Sequence, residues 1–296
     1  SCIAGNHTKI ASSASVAFEG VFDGNGKKIK NWVYVAATED NVGVFGFLQD
    51  SIIKNLEVEN ANISGKDSTG ILAGYGGGTI IKVVTSGTVT GQNGVGGIVG
   101  QYPYAITQTS SSATVSGTTN VGGLVGGSGH VQISSSYFSG SVTATGDNVG
   151  GLIGTTCAVR NSYSSGTVTG GNKVGGLVGV TTFSIEDSFS TMTVSGLTSV
   201  GGLVGHLNGA TLKISNSFFT GTVTGNGGTS ANVGILGGTF TGTIQNSWTL
   251  VSPTCDASSA TGGVQACNSG ATGTVAAIAD FYSAANEPID SWDLED

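Results

Sequence analysis

A six-residue phrase close to V-G-G-L-V-G recurs eight times along this chain of 296 residues. The copies begin at Val42, Thr69, Val95, Val121, Val149, Val174, Val200 and Val233, at steps of 27, 26, 26, 28, 25, 26 and 33 residues. A repeat unit of this length cannot bury its apolar side chains alone and does so by stacking on its neighbours. The period therefore predicts a solenoid, in which the chain winds into stacked coils.

Each unit also carries a second phrase, close to I-x-N-S-[YF]-x-x-G-x-V-[TS]-G, which is clearest at Ile214, Asn216, Ser217 and Phe218. Short runs of β-branched and aromatic residues between Gly, Asn and Ser are typical of strands and turns. No unit holds a ten-residue segment with the apolar spacing of a helix. We predict an all-β fold, a single-stranded parallel β-solenoid (β-helix) of about eight coils of about 26 residues. The coils are expected to be right-handed, because parallel β crossovers overwhelmingly are.

The repeat pattern divides the chain into three predicted segments. Residues 1–41 lack the first phrase and are predicted to be an N-terminal cap that blocks further strand pairing. Residues 42–250 are the repeat array, and residues 251–296, where the pattern stops, are predicted to be a C-terminal cap or the start of a further module. Because the chain starts at Ser1 without an initiator methionine, we expect a mature or trimmed product.

Like residues at one position of successive coils are expected to stack as ladders. The leucine-like position of the first phrase is predicted to point inward. It is occupied by Phe45, Leu72, Ile98, Leu124, Leu152, Leu177, Leu203 and Leu236. An aromatic ladder is expected to add burial and ring contacts at Tyr137, Tyr163, Phe189, Phe218 and Trp248. An inward polar ladder at a bend is predicted for Asn55, Asn161, Asn216 and Asn246, with Asp187 in one copy.

A Thr-x-Thr pattern, or its serine variant, recurs once per unit in six units. Its members are Thr88, Thr90, Thr114, Ser116, Ser141, Thr143, Thr167, Thr169, Thr193, Ser195, Thr222 and Thr224. The valine between each pair is expected to point inward, which places both hydroxyl residues outward on coils stacked at about 4.8 Å. Such an array resembles the faces of β-solenoid ice-binding proteins, although three of the twelve positions are serine and lack the methyl group. Threonine is also a favourable residue for any exposed strand, so a purely structural role is the alternative.

The charge pattern restricts the partners. Charged residues make up 9% of the chain, the net charge is −8, and Lys and Arg form no runs. We therefore expect no nucleic-acid partner and no anionic membrane surface as a partner. Glycine interrupts the apolar stretches every two or three residues, so no membrane insertion is predicted.

The four cysteines and three histidines are the candidates for disulfides and metal ligands. Cys255 and Cys267 are a candidate disulfide, whereas the pairing of Cys2 and Cys157 stays open. Disulfide use favours an oxidising, extracytoplasmic compartment, and buried free thiols in a reducing compartment are the alternative. His7, His130 and His206 lie in unrelated contexts, and neither C-x-x-C nor H-E-x-x-H occurs, so no metal and no cofactor are predicted. The repeat array is too poor in acids for a catalytic carboxylate pair, so the chain is predicted not to be an enzyme.

The two linked phrases resemble the GLUG repeats of bacterial secreted and surface proteins. The segment F-E-G-V-F-D-G-N-G-K-K-I at Phe18–Ile29 is similar to the one that often precedes such arrays, and the resemblance covers residues 18–250. It implies a non-catalytic extracellular repeat module of adhesin type, secreted or at the cell surface. Its partner would be a glycan, a protein, an abiotic surface or another copy of itself.

Two further functions are kept open beside this one. The first is ice binding through the Thr-x-Thr residues. The second is a filament-forming structural subunit or an accessory region of a secreted enzyme, because GLUG repeats also occur beside the catalytic domains of immunoglobulin A-specific metallopeptidases.

Overall fold

Each copy of the first phrase opens one coil of a parallel β-solenoid in the computed structural model. Residues 7–226, 232–245, 247–250, 255–256 and 273–275 are described. Strands at the same position of successive coils pair in parallel and in register, as Val121, Val149 and Val174 do. Apart from one 3-10 turn at Ala14–Val16, the regular structure of the described residues is β. The prediction of an all-β parallel solenoid of about eight coils is confirmed, and its handedness stays a prediction.

The coils are numbered 1 to 8 here from the copies of the first phrase, starting at Val42. The strands up to coil 2 are β1 (Phe18–Lys30), β2 (Val33–Val35), β3 (Phe45–Ser64), β4 (Thr69–Gly70) and β5 (Ala73–Thr90). Those of coils 3 to 5 are β6 (Asn93–Gly96), β7 (Val99–Gln101), β8 (Ala105–Thr107), β9 (Ser110–Ser111), β10 (Thr114–Gly117), β11 (Thr119–Gly122), β12 (Val125–Ser134), β13 (Tyr137–Phe138), β14 (Ser141–Ala144), β15 (Val149–Gly150), β16 (Ile153–Arg160), β17 (Tyr163–Ser164) and β18 (Thr167–Thr169). Those of coils 6 and 7 are β19 (Asn172–Gly175), β20 (Val178–Thr181), β21 (Ile185–Glu186), β22 (Phe189–Ser190), β23 (Thr193–Gly196), β24 (Thr198–Gly201), β25 (Val204–Leu207), β26 (Lys213–Ser215), β27 (Phe218–Phe219) and β28 (Thr222–Gly225). From coil 8 onward they are β29 (Val233–Gly234), β30 (Gly237–Phe240), β31 (Thr243–Gln245), β32 (Trp248–Leu250), β33 (Cys255–Asp256) and β34 (Gly273–Val275).

The first phrase builds the tightest part of the coil. Its valine and first glycine form a sheet of the seven strands β4, β6, β11, β15, β19, β24 and β29. The leucine-like residue that follows is fully buried in all eight coils, as predicted. The second glycine lies directly under the next coil, because a Cβ on Gly151 would lie 1.9 Å from the carbonyl oxygen of Gly176. No side chain fits there in coils 3 to 7, which explains the second glycine of the phrase in those coils, whereas Val44, Ile71 and Ile235 occupy the position in coils 1, 2 and 8.

The polar ladder inside the solenoid consists of hydroxyl residues and not of asparagines. Its members are Thr109, Ser136, Ser162, Ser188, Ser217 and Ser247, all buried. Each hydroxyl accepts a hydrogen bond from a backbone N–H of the preceding coil at 3.1 to 3.3 Å. It donates one to the carbonyl two residues earlier in its own coil at 2.7 to 2.9 Å. The hydrogen bonds that the hydroxyls accept give a partner to buried backbone N–H groups at this bend.

The prediction of an inward asparagine ladder is wrong. Asn161 is exposed, and Asn55, Asp187 and Asn216 are half-buried. All four adopt positive φ angles, between 46° and 53°, which Asn and Asp tolerate better than most residues. Asn216 donates a hydrogen bond to Asp187 at 2.9 Å across the outside of the bend. The position therefore selects a backbone conformation and not a buried amide; Asn246 lies outside the described residues.

The aromatic ladder forms, but on the outer surface. The rings of Tyr137, Tyr163, Phe189 and Phe218 stack at centroid distances of 4.7 to 4.8 Å, with planes within 4° of parallel. Tyr137 remains 39% exposed. The expectation of ring contacts is confirmed, and burial is partial, because Tyr163, Phe189 and Phe218 are half-buried; the side chain of Trp248 lies outside the described part.

The N-terminal segment adds a further layer ahead of coil 1. Strands β1 and β2 both pair in parallel with β3. Salt bridges cross this pairing from Lys28 to Glu57 at 2.8 Å and from Lys30 to Glu59 at 3.1 Å. The boundary at residue 41 stays a prediction, and so does the role of residues 251–296, most of which lie outside the described residues.

Candidate functional site

The twelve Thr-x-Thr residues come together as two columns on one face, called the hydroxyl face below. The strands that carry them pair in register, so that Thr114 lies between Thr88 and Ser141. The same register continues through β18, β23 and β28. The valine between each pair is fully buried, as at Val168. Strand alternation therefore turns both hydroxyl residues of every coil outward.

Exposure differs along this face. Seven of the residues are exposed, namely Thr88, Thr90, Thr114, Thr143, Thr167, Thr169 and Thr193. The other five, Ser116, Ser141, Ser195, Thr222 and Thr224, are half-buried. The columns continue at the N-terminal end with Asn62 and Ser64, which pair with Thr88 and Thr90. These two residues were missed in the sequence, because only the strand register connects them to the pattern.

The stacked aromatic ladder of Tyr137, Tyr163, Phe189 and Phe218 precedes the hydroxyl columns in the same coils. Because the rings lie face to face, they cover one another and leave mainly their edges to solvent. Partial burial, with a smaller effect of the neighbouring Tyr137, raises the pKa of the Tyr163 phenol. The ladder is therefore an uncharged border of the hydroxyl face.

The histidines remain in separate surroundings. His7 stacks on Trp32 at 4.5 Å, and His130 packs edge-on against Phe183 at 5.7 Å. Burial, with a smaller effect of Lys173, lowers the pKa of His206. Within the described ranges, no three His, Cys, Asp or Glu residues are arranged to hold a metal ion.

The cysteine predictions are tested only in part. Cys157 is a free, fully buried thiol in β16, and burial raises its pKa. Only the backbone of Cys255 is described, whereas Cys267 and Cys2 lie outside the described residues. The disulfide between Cys255 and Cys267 stays a prediction.

A second cluster of aromatic residues, called the aromatic patch below, lies at the bend after the first phrase in coils 1 to 3. It consists of Phe47, Tyr75, Tyr102 and Tyr104, with Asp50 at its edge. Tyr75 contacts Phe47 at 5.8 Å and Tyr102 at 5.2 Å between ring centroids. The Tyr104 hydroxyl donates a hydrogen bond to Asp50 at 3.0 Å. Sequence reasoning missed this patch because its residues do not repeat from coil to coil.

Among the residues whose structure is described, no helix has the length and apolar character needed to cross a membrane.

Comparison with known proteins identifies the repeat. The family described as "The GLUG motif" matches residues 170–195, which run from the bend after β18 into β23. The same two phrases build the coils before and after this match. Residues 170–195 therefore carry a GLUG repeat within the β-solenoid.

One similar sequence is halomucin from Haloquadratum walsbyi, which is 36% identical over 80 residues. The match covers 27% of this chain, and the chain spans about 1% of the length of halomucin. One similar structure is that of a Bacteroides ovatus protein provisionally described as an immunoglobulin A1 protease. The likeness covers 91% of this chain and 71% of that one, at 21% identity and a TM-score of 0.44. A likeness of this size indicates nothing about activity.

Proposed function

We propose that the chain is a non-catalytic repeat module of a protein that is secreted or displayed at the cell surface. The stacked coils would form a rod-like scaffold of adhesin type, whose outward side chains contact an external surface. The GLUG repeat and the likeness to a protein named as a mucin support an extracellular location.

The hydroxyl face is the observation that carries this proposal. Six successive coils present the same pair of hydroxyl positions, which at about 4.8 Å per step extend over about 24 Å. Enzyme sites are usually concave and hold a few unlike polar groups at fixed positions. An open face that repeats one uncharged chemistry is suited to many weak contacts with a repetitive surface.

Two measurements test the proposal. Cells expressing the full-length protein are labelled with an antibody to the coil array, before and after permeabilisation, with a cytoplasmic protein as control. We expect labelling of intact cells. The purified chain is then incubated with polysaccharides and with immunoglobulin A, and products are sought by mass spectrometry. Products above those of a heat-unfolded control, or labelling only after permeabilisation, would contradict the proposal.

Ice binding is the second candidate function, favoured by the exposure and register of the threonine columns. It requires that the face be regular over several coils, and the half-buried serines at Ser116, Ser141 and Ser195 interrupt it. Thermal hysteresis of the purified chain is the direct measurement. If ice binding holds, Thr167→Tyr in the middle of the face abolishes hysteresis, whereas Thr182→Tyr, an exposed threonine on another part of the coil, leaves it unchanged. We expect no hysteresis from the unmodified chain, which would leave the surface-module function.

Self-association into filaments is tested by a separate measurement. Analytical ultracentrifugation of the chain at increasing concentration would show continuous growth in mass if coils stacked end to end into filaments. A constant mass would support a module that acts as part of a longer protein.

A further inference from the structure

We infer that the aromatic patch of Phe47, Tyr75, Tyr102 and Tyr104 binds a neutral polysaccharide. The patch is separate from the hydroxyl face and lies at the bend after the first phrase. The inference rests on the proposed role as a surface-binding module, and it gives that module a ligand class and a site.

The orientation of the rings distinguishes the patch from the aromatic ladder. Ladder planes lie within 4° of parallel, so the rings cover one another. In the patch, Tyr75 is tilted by 57° against Phe47 and by 51° against Tyr102. Tyr102 and Tyr104 are 47% and 55% exposed. Phe47 and Tyr75 are half-buried, so Tyr102 and Tyr104 offer most of the exposed ring surface, and the apolar C–H face of a sugar ring packs on an aromatic face.

Two glycines of the next coil lie beside Tyr102. Coil 4 places Gly127 opposite Gln101, the residue before Tyr102. The nearest heavy atom to a Cβ on Gly129 would be a ring carbon of Tyr102, at 3.8 Å. These two glycines add no side chain over Tyr102, which remains 47% exposed.

The most exposed ring of the patch, that of Tyr104, is held in place before any ligand arrives. Pro103 is buried between Tyr102 and Tyr104, so both tyrosines project outward. The Tyr104 ring lies on Gly77, where a Cβ would be 2.2 Å from the ring, and its hydroxyl is fixed by Asp50. A preorganised binding group loses less conformational entropy on binding, which favours affinity.

The backbone at Tyr102 also departs from local preference. Tyr102 has a φ of 63°, at the position where the preceding coil has Gly76 with a φ of 113°. A bulky residue in this left-handed region costs about 1–2 kcal/mol relative to glycine. Variable bends on one face of a solenoid often form its binding face.

Charge and spacing select the ligand class. Asp50 is the one charged residue of the patch, and its carboxylate accepts hydrogen bonds from sugar hydroxyls but repels acidic polysaccharides. Phe47, Tyr75 and Tyr102 lie on three successive coils and extend over about 10 Å, the length of about two pyranose units. These features fit a neutral hexose polymer running along the solenoid axis.

The test measures binding of the folded chain to named polysaccharides. Affinity electrophoresis is run in gels containing galactomannan, mixed-linkage β-glucan or xylan, with alginate as the acidic comparison, and sedimentation assays use cellulose and chitin. We expect binding to at least one neutral polymer and none to alginate. Tyr102→Ala and Tyr104→Ala should each weaken binding about tenfold, as the loss of a central aromatic anchor does. Gly77→Ala, which displaces the Tyr104 ring but keeps its phenol, should also weaken binding.

Tyr137→Ala is the matched control, because it removes a partly exposed tyrosine from the ladder and leaves the patch intact. Unchanged circular dichroism spectra show that each variant is folded. The inference is overturned if the unmodified chain binds no neutral polymer, if it binds alginate alone, or if Tyr102→Ala and Tyr104→Ala bind as well as Tyr137→Ala. A chain that is displayed on cells but binds no neutral polymer refutes this inference and leaves the proposed function standing. Cleavage products refute the proposed function whatever the binding result.

Discussion

Replacing Ser162 by alanine tests whether the buried hydroxyl ladder holds the coils together. The Ser162 hydroxyl accepts a hydrogen bond from the Ser136 N–H at 3.2 Å and donates one to the Arg160 carbonyl at 2.7 Å. Ser136 and Ser162 are both 1% exposed, so water cannot replace the missing partner without entering the core. Ser162→Ala removes both bonds and leaves a space smaller than a water molecule.

The two lost bonds do not cost the same. The Arg160 carbonyl keeps a second partner, because it also accepts a hydrogen bond from the Ser135 N–H at 3.2 Å. The Ser136 N–H loses its acceptor and becomes a buried, unsatisfied donor. Such a donor costs about 1–3 kcal/mol. We therefore expect Ser162→Ala to lower the free energy of unfolding by about 2 kcal/mol.

Two controls belong to this experiment. Ser162→Thr keeps the hydroxyl, and Thr109 fills the same role in coil 3, with bonds of 3.2 and 2.9 Å. We expect it to lose much less stability than the alanine variant. Ser112→Ala changes an exposed serine and should lie within about 0.5 kcal/mol of the unmodified chain.

Urea unfolding followed by far-ultraviolet circular dichroism gives the stability difference, and hydrogen exchange of the Ser136 amide gives the local effect. The reasoning is refuted if Ser162→Ala unfolds at the same urea concentration as Ser112→Ala while the Ser136 amide exchanges as slowly as before. That result would mean that the ladder is only a consequence of stacking and does not stabilise it.

Three other predictions concern a glycine, the buried thiol and a surface carboxylate. Gly151→Ala places a Cβ 1.9 Å from the carbonyl oxygen of Gly176 in the next coil and should destabilise the chain by about 1–3 kcal/mol in urea unfolding. Gly129→Ala is the control and should not destabilise the chain, because the nearest atom to its Cβ, a ring carbon of Tyr102, lies 3.8 Å away. Burial raises the pKa of the Cys157 thiol, so peptide mapping at pH 8 should find it unlabelled by a thiol reagent in the folded chain and labelled after unfolding; labelling of the folded chain would contradict its burial. The hydrogen bond from Lys30 lowers the pKa of Glu59, so its stabilising effect is present above the ordinary glutamate pKa of about 4.3 and is lost as the pH falls below it. Amide exchange in β1 and β3, corrected for intrinsic rates, should therefore accelerate at pH 3.5, and unchanged exchange would contradict this.

The repeated apolar positions could be predicted because the same physical demand acts on every coil. Leu124, Leu152 and Leu177 follow identical glycine pairs, and only an inward, stacked position explains such identity. The hydroxyl columns could be predicted for a similar reason, since strand alternation around a buried valine determines the direction of its neighbours.

The direction of the asparagine and serine positions could not be predicted in the same way. Asn161 and Ser162 are adjacent polar residues at a bend, where strand alternation no longer applies. Asn161 occupies a left-handed backbone conformation with a φ of 46°, and this alone places its side chain outside and Ser162 inside. The left-handed angle recurs at this position in successive coils, but the residue type varies between Asn55, Lys82, Gln108, Ser135, Asn161, Asp187 and Asn216, so the sequence pattern does not reveal it.

The aromatic patch could not be predicted for a different reason, because its residues do not follow the repeat. Tyr102 and Tyr104 belong to a bend whose residues differ in every coil, with Gly76–Gly78 before them and Ser128–His130 after them. Since each coil of a solenoid contacts only its neighbours, a change at an exposed bend leaves the inward ladders intact. Recognition can therefore vary at the bends while glycine, leucine and serine positions keep the fold unchanged. For this reason the residues that break the repeat, and not those that define it, are where a specific ligand is to be sought.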